Sequence, residues 1–206
     1  MKLYQKKEKT FPSSTEIDGI LYDINADFRN ILRIFAILRD AKVPETKRAE
    51  KLIQWFFGEN DAEKTGLTYD AAVQAFSDFI NRENIDENKQ SSDIYDDKNE
   101  AEQSERQYDY DFDAEEIYAG FMSEYNIDLV EVGFLHWYKF KILLGNLSGE
   151  SAFKKKIELR FMDLSIYKGQ ALADMTRAKE SVQLPVEYSE EELRQIERFD
   201  NVWGNV

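Results

Sequence analysis

Cysteine is absent from this chain of 206 residues, and glycine and proline are scarce, with 9 and 3 residues. The lack of cysteine excludes a disulfide scaffold, a thiol nucleophile and a metal site with thiolate ligands. The scarcity of glycine and proline disfavours a turn-rich all-β fold. No apolar run approaches the roughly 18 residues that a membrane span needs, and the first residues lack the apolar core of a signal peptide. We therefore expect a soluble intracellular protein without membrane contact.

Basic residues are also scarce. The chain has 27 basic and 41 acidic residues, which gives a formal net charge of −14. Most of this charge lies in residues 83–116, which contain 14 acidic and 3 basic side chains. Segment 83–107 has too few apolar residues to offset its ordering entropy, so we predict an acidic mobile loop or linker there. The acidic excess argues against nucleic-acid binding. We interpret the local basic cluster Lys154–Lys156 with Arg160 as a solvated helix face.

Apolar residues are plentiful, at 42% of the chain with 14 Phe, 11 Tyr and 3 Trp. Their helical spacing predicts a mainly α fold of about seven or eight helices. Asp18-Gly19 predicts one small N-terminal β-hairpin with a two-residue turn. We divide the chain into a hairpin with three helices (1–82), the acidic segment (83–107), a helical part of the same domain (108–185) and a C-terminal helix or arm (186–206).

Helix boundaries follow from capping residues. Asn25 is the expected N-cap of a helix over roughly 26–40, and Pro44 is expected at the first position of the next helix. Asp113 is expected to cap a helix that ends at Asn126 in a left-handed conformation. Asp128 is expected to begin the most apolar helix, which would include Trp137. A further helix over 148–162 would direct Phe153, Ile157 and Phe161 inward.

Residues for catalysis or metal binding are few. His136 is the only histidine, and its apolar neighbours favour a packed side chain. Asp109, Asp111 and Asp113 resemble the start of a calcium loop, but Ala114 and Gly120 occupy places that require glycine and glutamate. We interpret these acids as helix N-terminal residues that the helix dipole favours. We expect no enzymatic activity, no bound metal and no cofactor.

Several short segments resemble a family of tailed-phage and prophage proteins from Gram-positive hosts. The family is encoded near the tape-measure gene and is described as tail-assembly chaperones. The similar segments follow one another in the same order over roughly residues 15–185. They are Ile17-Asp18-Gly19, Ile24-Asn25-Ala26-Asp27-Phe28-Arg29, Ile117-Tyr118-Ala119-Gly120-Phe121, Tyr125-Asn126-Ile127-Asp128-Leu129, Leu135-His136-Trp137-Tyr138-Lys139-Phe140 and Met162-Asp163-Leu164-Ser165.

The resemblance implies a non-enzymatic chaperone that coats the tape-measure protein while a long non-contractile tail is assembled. Tail-tube subunits would displace the coat, so the chaperone would act in the host cytoplasm and be missing from the mature virion. Two other classes stay open at this point. One is a structural tail or head–tail protein retained in the virion, and the other is an enzyme that uses carboxylates and a divalent metal.

The last candidate site is an apolar strip near the end of the chain. Leu193, Ile196, Phe199 and Trp203 follow Pro185 at spacings that suit one side of a helix. This helix either docks on its own domain or forms an arm that packs on a partner or on another copy of the chain. The arm would make the protein a homo-oligomer.

Overall fold

The computed structural model describes residues 11–58, 67–81 and 106–185. Within these ranges the chain forms seven α-helices and one two-stranded antiparallel sheet, which confirms the mainly α prediction. The predictions for the C-terminal strip, and for the acidic segment apart from Arg106 and Gln107, lie outside the described residues. The elements are β1 (Ser14–Ile17), β2 (Ile20–Asp23), α1 (Phe28–Arg39), α2 (Glu45–Phe57), α3 (Tyr69–Asn81), α4 (Ala114–Tyr125), α5 (Trp137–Gly145), α6 (Ala152–Phe161) and α7 (Gly169–Ser181).

The β-hairpin has the predicted two-residue turn. Asp18 and Gly19 both have positive φ, at 51° and 78°, and Ile17 pairs with Ile20 across the turn. This is the conformation that Asp-Gly favours because glycine has no Cβ to clash and aspartate tolerates the left-handed region. An isolated hairpin is only marginally stable, and here Tyr22 is buried against Phe57 at the end of α2.

The beginnings of α1 and α2 differ from the predictions by one or two residues. Asp27, not Asn25, is the N-cap of α1, and its carboxylate accepts a hydrogen bond from the Arg29 backbone N–H. The Asn25 side chain accepts from the Asp27 N–H instead, so it supports the cap without being the cap. Pro44 has extended ψ (142°) and is the N-cap of α2, one position before the predicted one.

The most apolar helix, α5, begins at Trp137 and not after Asp128. Oδ1 of Asp128 accepts hydrogen bonds from the N–H groups of Val130 and Glu131, which closes a turn and not a helix. The chain then continues without regular secondary structure to His136, the N-cap of α5. The prediction failed because the backbone of this stretch pairs with the segment that precedes α1 and does not form a helix. By contrast, α4 ends as predicted at Asn126, with φ at 52°.

One hydrophobic core joins helices from both sides of the acidic segment. In this core α1 packs against α2 and α5, α2 against α3, α4 against α5 and α6, and α6 against α7. Trp137 is only 1% exposed, and the Phe140 ring stacks on Phe28 and Phe121 with centroids 4.7 and 5.2 Å apart. Large aromatic side chains therefore fill the centre of the protein.

The outer helices α6 and α7 contribute less to this core. Phe153 is buried as predicted, but Phe161 is exposed because α6 ends there and the chain turns away at Met162. No residue of α7 is fully buried. None of the described helices is long and apolar enough to cross a membrane.

Candidate functional site

The segments that precede α1 and α5 run antiparallel and meet in an isolated β-bridge between Asp27 and His136. The Phe28 N–H donates to the Leu135 carbonyl at 2.9 Å, and the Trp137 N–H donates to the Ala26 carbonyl at 2.7 Å. We call residues 25–30 and 133–137 the junction. Two of the sequence segments that carried the resemblance thus lie side by side, although more than 100 residues separate them.

Asp27 holds the junction together. Its Oδ1 accepts from the Arg29 backbone N–H (3.0 Å) and Nε (2.9 Å), and its Oδ2 accepts from Arg29 Nη2 and the Leu135 N–H, both at 3.1 Å. Burial raises the pKa of Asp27, but the hydrogen bonds from Arg29 and Leu135 outweigh burial and hold the pKa below its usual value. The carboxylate is therefore ionised at neutral pH and fully engaged.

Two further side chains anchor the junction to its surroundings. Arg29 Nη2 also donates to the Gly133 carbonyl at 3.1 Å. The Asn30 side-chain amide donates to the carbonyls of Asn25 (3.0 Å) and Trp55 (2.8 Å), and this second bond reaches the last turn of α2. The loop before α5 is thus fixed by hydrogen bonds to α1, and α1 to α2.

His136 is packed and satisfied, as predicted, but at the beginning of a helix and not within one. Its Nδ1 accepts from the Tyr138 N–H at 3.2 Å, and its Nε2 lies 3.0 Å from the Pro12 carbonyl, which assigns the proton to Nε2. The ring stacks on Phe11 with centroids 4.9 Å apart. Burial lowers the pKa of His136, so the neutral ring predominates at pH 7.

An open pocket of about 430 Å³ lies on the solvent side of the junction. Arg33 extends over the Trp55 ring, with its guanidinium carbon 4.1 Å from the ring centroid, and donates from Nη2 to the Asn30 side-chain oxygen at 3.2 Å. Phe134 is 60% exposed, and Val130, earlier in the same loop, is 69% exposed. The lining residues are Asn25, Asp27, Arg29, Asn30, Arg33, Gly133 and Phe134.

The two titratable side chains that meet at the junction, Asp27 and His136, already have hydrogen-bond partners. The Asp27 carboxylate accepts four hydrogen bonds, and both nitrogens of His136 already have partners. Neither side chain is available to exchange a proton with a molecule in the pocket. The pocket presents a guanidinium group, that of Arg33, and an aromatic ring, that of Phe134.

A second polar cluster lies between α4 and α6, with Asp113 and Arg160 buried and Lys156 and Glu116 half-buried. Arg160 Nη1 donates to Asp113 Oδ2 at 2.8 Å and Nη2 donates to Oδ1 at 2.5 Å, while Lys156 Nζ lies 3.0 Å from Asp113 Oδ1 and 2.8 Å from Glu116 Oε1. Burial raises the pKa of Asp113, but the hydrogen bonds from Arg160, the Asp109 N–H and Lys156 outweigh it and lower the pKa below its usual value. The prediction of a solvated basic face was therefore wrong for Lys156 and Arg160.

Two of the three acids that resemble a calcium loop, Asp109 and Asp113, have structural partners for their carboxylates. Asp109 Oδ1 accepts from the N–H groups of Asp111 (2.8 Å) and Phe112 (2.9 Å), and Asp113 Oδ2 accepts from the Asp109 N–H at 3.0 Å. Asp113 is the N-cap residue of α4 by position, but its side chain turns inward to Arg160. Across the described ranges no group of three or more His, Asp or Glu residues is placed to hold a metal ion.

The predicted association residues Leu193, Ile196, Phe199 and Trp203 lie outside the described residues, so the structure leaves that prediction as it stands. The pocket was not predicted from the sequence. The segments that resemble the phage family include Asp27, Arg29, Leu135 and His136, but the sequence did not predict that these residues meet. The only signal in the sequence is an aromatic residue, Phe134, directly before Leu135-His136-Trp137. The structure shows that these three residues are buried.

Comparison with known proteins identifies the protein family of the chain. No curated protein and no solved structure matches it. Residues 8–184, which make up most of the chain, match the family described as Bacteriophage Gp15 protein. The chain therefore belongs to the bacteriophage Gp15 protein family.

Proposed function

We propose that this phage protein is a non-enzymatic tail-assembly chaperone that coats the tape-measure protein while a long non-contractile tail is assembled. Tail-tube subunits then displace it, so it acts in the host cytoplasm and leaves before the virion is complete. Membership of a bacteriophage family supports the setting of this proposal. The order of short segments that resembles tail-assembly chaperones supports the specific role.

The observation that carries the proposal is the exposure of Phe134 on a fixed loop. Its neighbours Leu135, His136 and Trp137 are buried, and hydrogen bonds to Asp27 and Arg29 hold the loop in place. Aromatic residues are enriched in protein interfaces, so an exposed phenylalanine on a loop that hydrogen bonds hold in place supports a binding surface here.

A coat of this kind needs many weak contacts and not a few strong ones. A tape-measure protein is a long helix whose apolar faces would aggregate if they were left uncovered. Exposed apolar side chains of the chaperone cover such faces, and many copies along one strand give avidity while each copy remains displaceable.

Coexpression with the tape-measure protein of the same phage tests the proposal. We expect the tape-measure protein to move from the insoluble to the soluble fraction and to copurify with the chaperone. Mass spectrometry of purified virions should then detect tube and tape-measure proteins but not this chain. A stoichiometric amount in virions would support a structural tail or head–tail protein, and failure to form any complex would overturn the chaperone role.

The C-terminal strip defines a separate prediction about association between copies. Truncation after Pro185 removes Leu193, Ile196, Phe199 and Trp203. If the strip is an arm, the truncated protein should keep its circular dichroism spectrum but lose self-association or tape-measure binding in sedimentation and pull-down assays. A loss of stability in the monomer, or unchanged association, would contradict the arm.

A further inference from the structure

We infer that the pocket beside the junction binds an acidic side chain of the partner, with Arg33 as the anion-binding group and Phe134 as the adjacent apolar contact. The inference deepens the proposed function and rests on it. It specifies the partner segment as one that presents an aspartate or glutamate next to an apolar side chain.

Arg33 has its charge available for such a partner. The ion pairs of the described residues include Arg29 but not Arg33. Among the described residues, the Arg33 guanidinium hydrogen-bonds to the neutral Asn30 amide and lies over the face of Trp55. Stacking on an indole ring orients the planar group and leaves its edge for a carboxylate, which guanidinium binds through two parallel hydrogen bonds.

The charges around the pocket favour one carboxylate over other ligands. Asp27 neutralises Arg29 through a bidentate ion pair, so Arg33 gives the lining a net charge of one positive unit. The chain as a whole carries −14, which repels a polyanion such as nucleic acid. A single acidic side chain on a partner matches the local charge without bringing a long negative surface close.

The apolar side of the pocket determines which partner side chains lie next to this carboxylate. Phe134 lines the pocket, and Val130 is exposed a few residues earlier on the same loop. A partner that covers both side chains removes apolar surface from water, and this desolvation strengthens the nearby contact between guanidinium and carboxylate. A segment with alternating acidic and apolar side chains on one face satisfies both requirements.

Binding of labelled peptides tests the inference. Overlapping peptides of about 20 residues from the tape-measure protein are titrated with the full chain, and fluorescence anisotropy gives the dissociation constants. For a peptide that binds, Arg33→Gln should weaken binding about tenfold, which corresponds to about 1.4 kcal/mol, and Phe134→Ser should also weaken it. Arg177→Gln and Ile166→Ser are the matched controls, because Arg177 and Ile166 are exposed on or next to α7.

A charge exchange separates direct contact from a change in folding. Replacing the peptide's acidic residue by lysine should abolish binding to the wild-type chain, and Arg33→Glu should restore binding to that lysine peptide. Thermal midpoints of all variants verify that they remain folded. Equal binding by wild type and Arg33→Gln, or binding that survives removal of every acidic residue from the peptide, would overturn the inference.

The failure of the inference and the failure of the proposed function give different results. If the wild-type chain forms a complex with the full tape-measure protein but the Arg33 and Phe134 variants bind equally well, the pocket is not the contact and the chaperone role stands. If the wild-type chain binds neither the full protein nor any peptide, the proposed function fails together with the inference.

Discussion

In the described part of the chain, two bidentate pairs of aspartate and arginine have different surroundings. Asp27 and Arg29 are two residues apart at the beginning of α1, and the Arg29 side chain is partly exposed. Asp113 and Arg160 are 47 residues apart, and both are buried between α4 and α6. The fully buried pair holds two helices in one core, whereas the pair of buried Asp27 and exposed Arg29 orients a surface loop. The same chemical contact therefore stabilises the core in one region and fixes the geometry of an exposed loop in the other.

The largest expected effect is the loss of the buried pair. Asp113→Ala leaves the Arg160 guanidinium in the core without its carboxylate, so we expect the free energy of unfolding to fall by about 3–5 kcal/mol. Urea denaturation monitored by circular dichroism measures the change. Asp174→Ala removes the exposed pair of Asp174 with Arg177 on α7 and is the matched control, for which little change is expected. Equal effects of the two substitutions would show that burial does not distinguish them.

Two neighbouring aromatic residues give the next comparison. Trp137→Ala should cost about 3–5 kcal/mol because it removes a fully buried indole from the core. Phe134→Ala, three residues earlier, should change stability by no more than about 0.5 kcal/mol because that ring is exposed. The same denaturation assay measures both. A large effect of Phe134→Ala would show that the ring packs on its own chain and is not held for a partner.

The pair at the junction should matter less for folding than for binding. Asp27→Ala removes the N-cap of α1 and the acceptor for the Leu135 N–H, and we expect a loss of about 2 kcal/mol. Asp27→Asn keeps a capping oxygen and should lose less stability. Both variants should weaken tape-measure binding in pull-down assays because the loop that carries Phe134 loses its anchor. Unchanged binding by Asp27→Ala would contradict the role of the junction in orienting that loop.

The smallest expected effect is the dependence of stability on pH near His136. Because burial among Phe11, Phe79 and Tyr138 lowers the pKa of His136, the folded state favours the neutral ring. This contribution is complete above the unfolded pKa of about 6.5 and is lost as the pH falls below it. Thermal midpoints between pH 7.5 and 5 measure the loss. His136→Asn keeps a capping side chain and should flatten the profile in this interval, whereas an unchanged slope would assign it to other groups.

A second decline should follow at lower pH. The pKa values of Asp27 and Asp113 are both held below their usual value, so their contributions are present above about pH 3.9 and are lost as the pH falls through the folded-state values. The two declines occupy different pH intervals, and His136→Asn should remove only the first. Loss of both in that variant would show that the groups do not titrate independently.

Much of the fold could be predicted because its causes are local. Asp18-Gly19 determines the hairpin turn, and Asn126 ends α4 in the left-handed conformation. The prediction failed where residues meet across long distances in the chain. The stretch before His136 has enough apolar residues for a helix, but the Leu135 carbonyl accepts a hydrogen bond from the Phe28 N–H, and this stretch pairs with the segment before α1. Hydrophobic periodicity does not reveal such a pairing.

The amino-acid sequence by itself determined the helical class, the hairpin and both ends of α4, because spacing of apolar side chains and backbone preferences of single residues act within a few positions. The tertiary structure alone decided which charges are buried and which are available. Arg160 lies in a basic run but finds Asp113 across the core, and Arg33 lies on a helix face but stacks on Trp55 beside an open pocket. A charge depends on its three-dimensional neighbours, since partners and solvent access are set only when the helices pack.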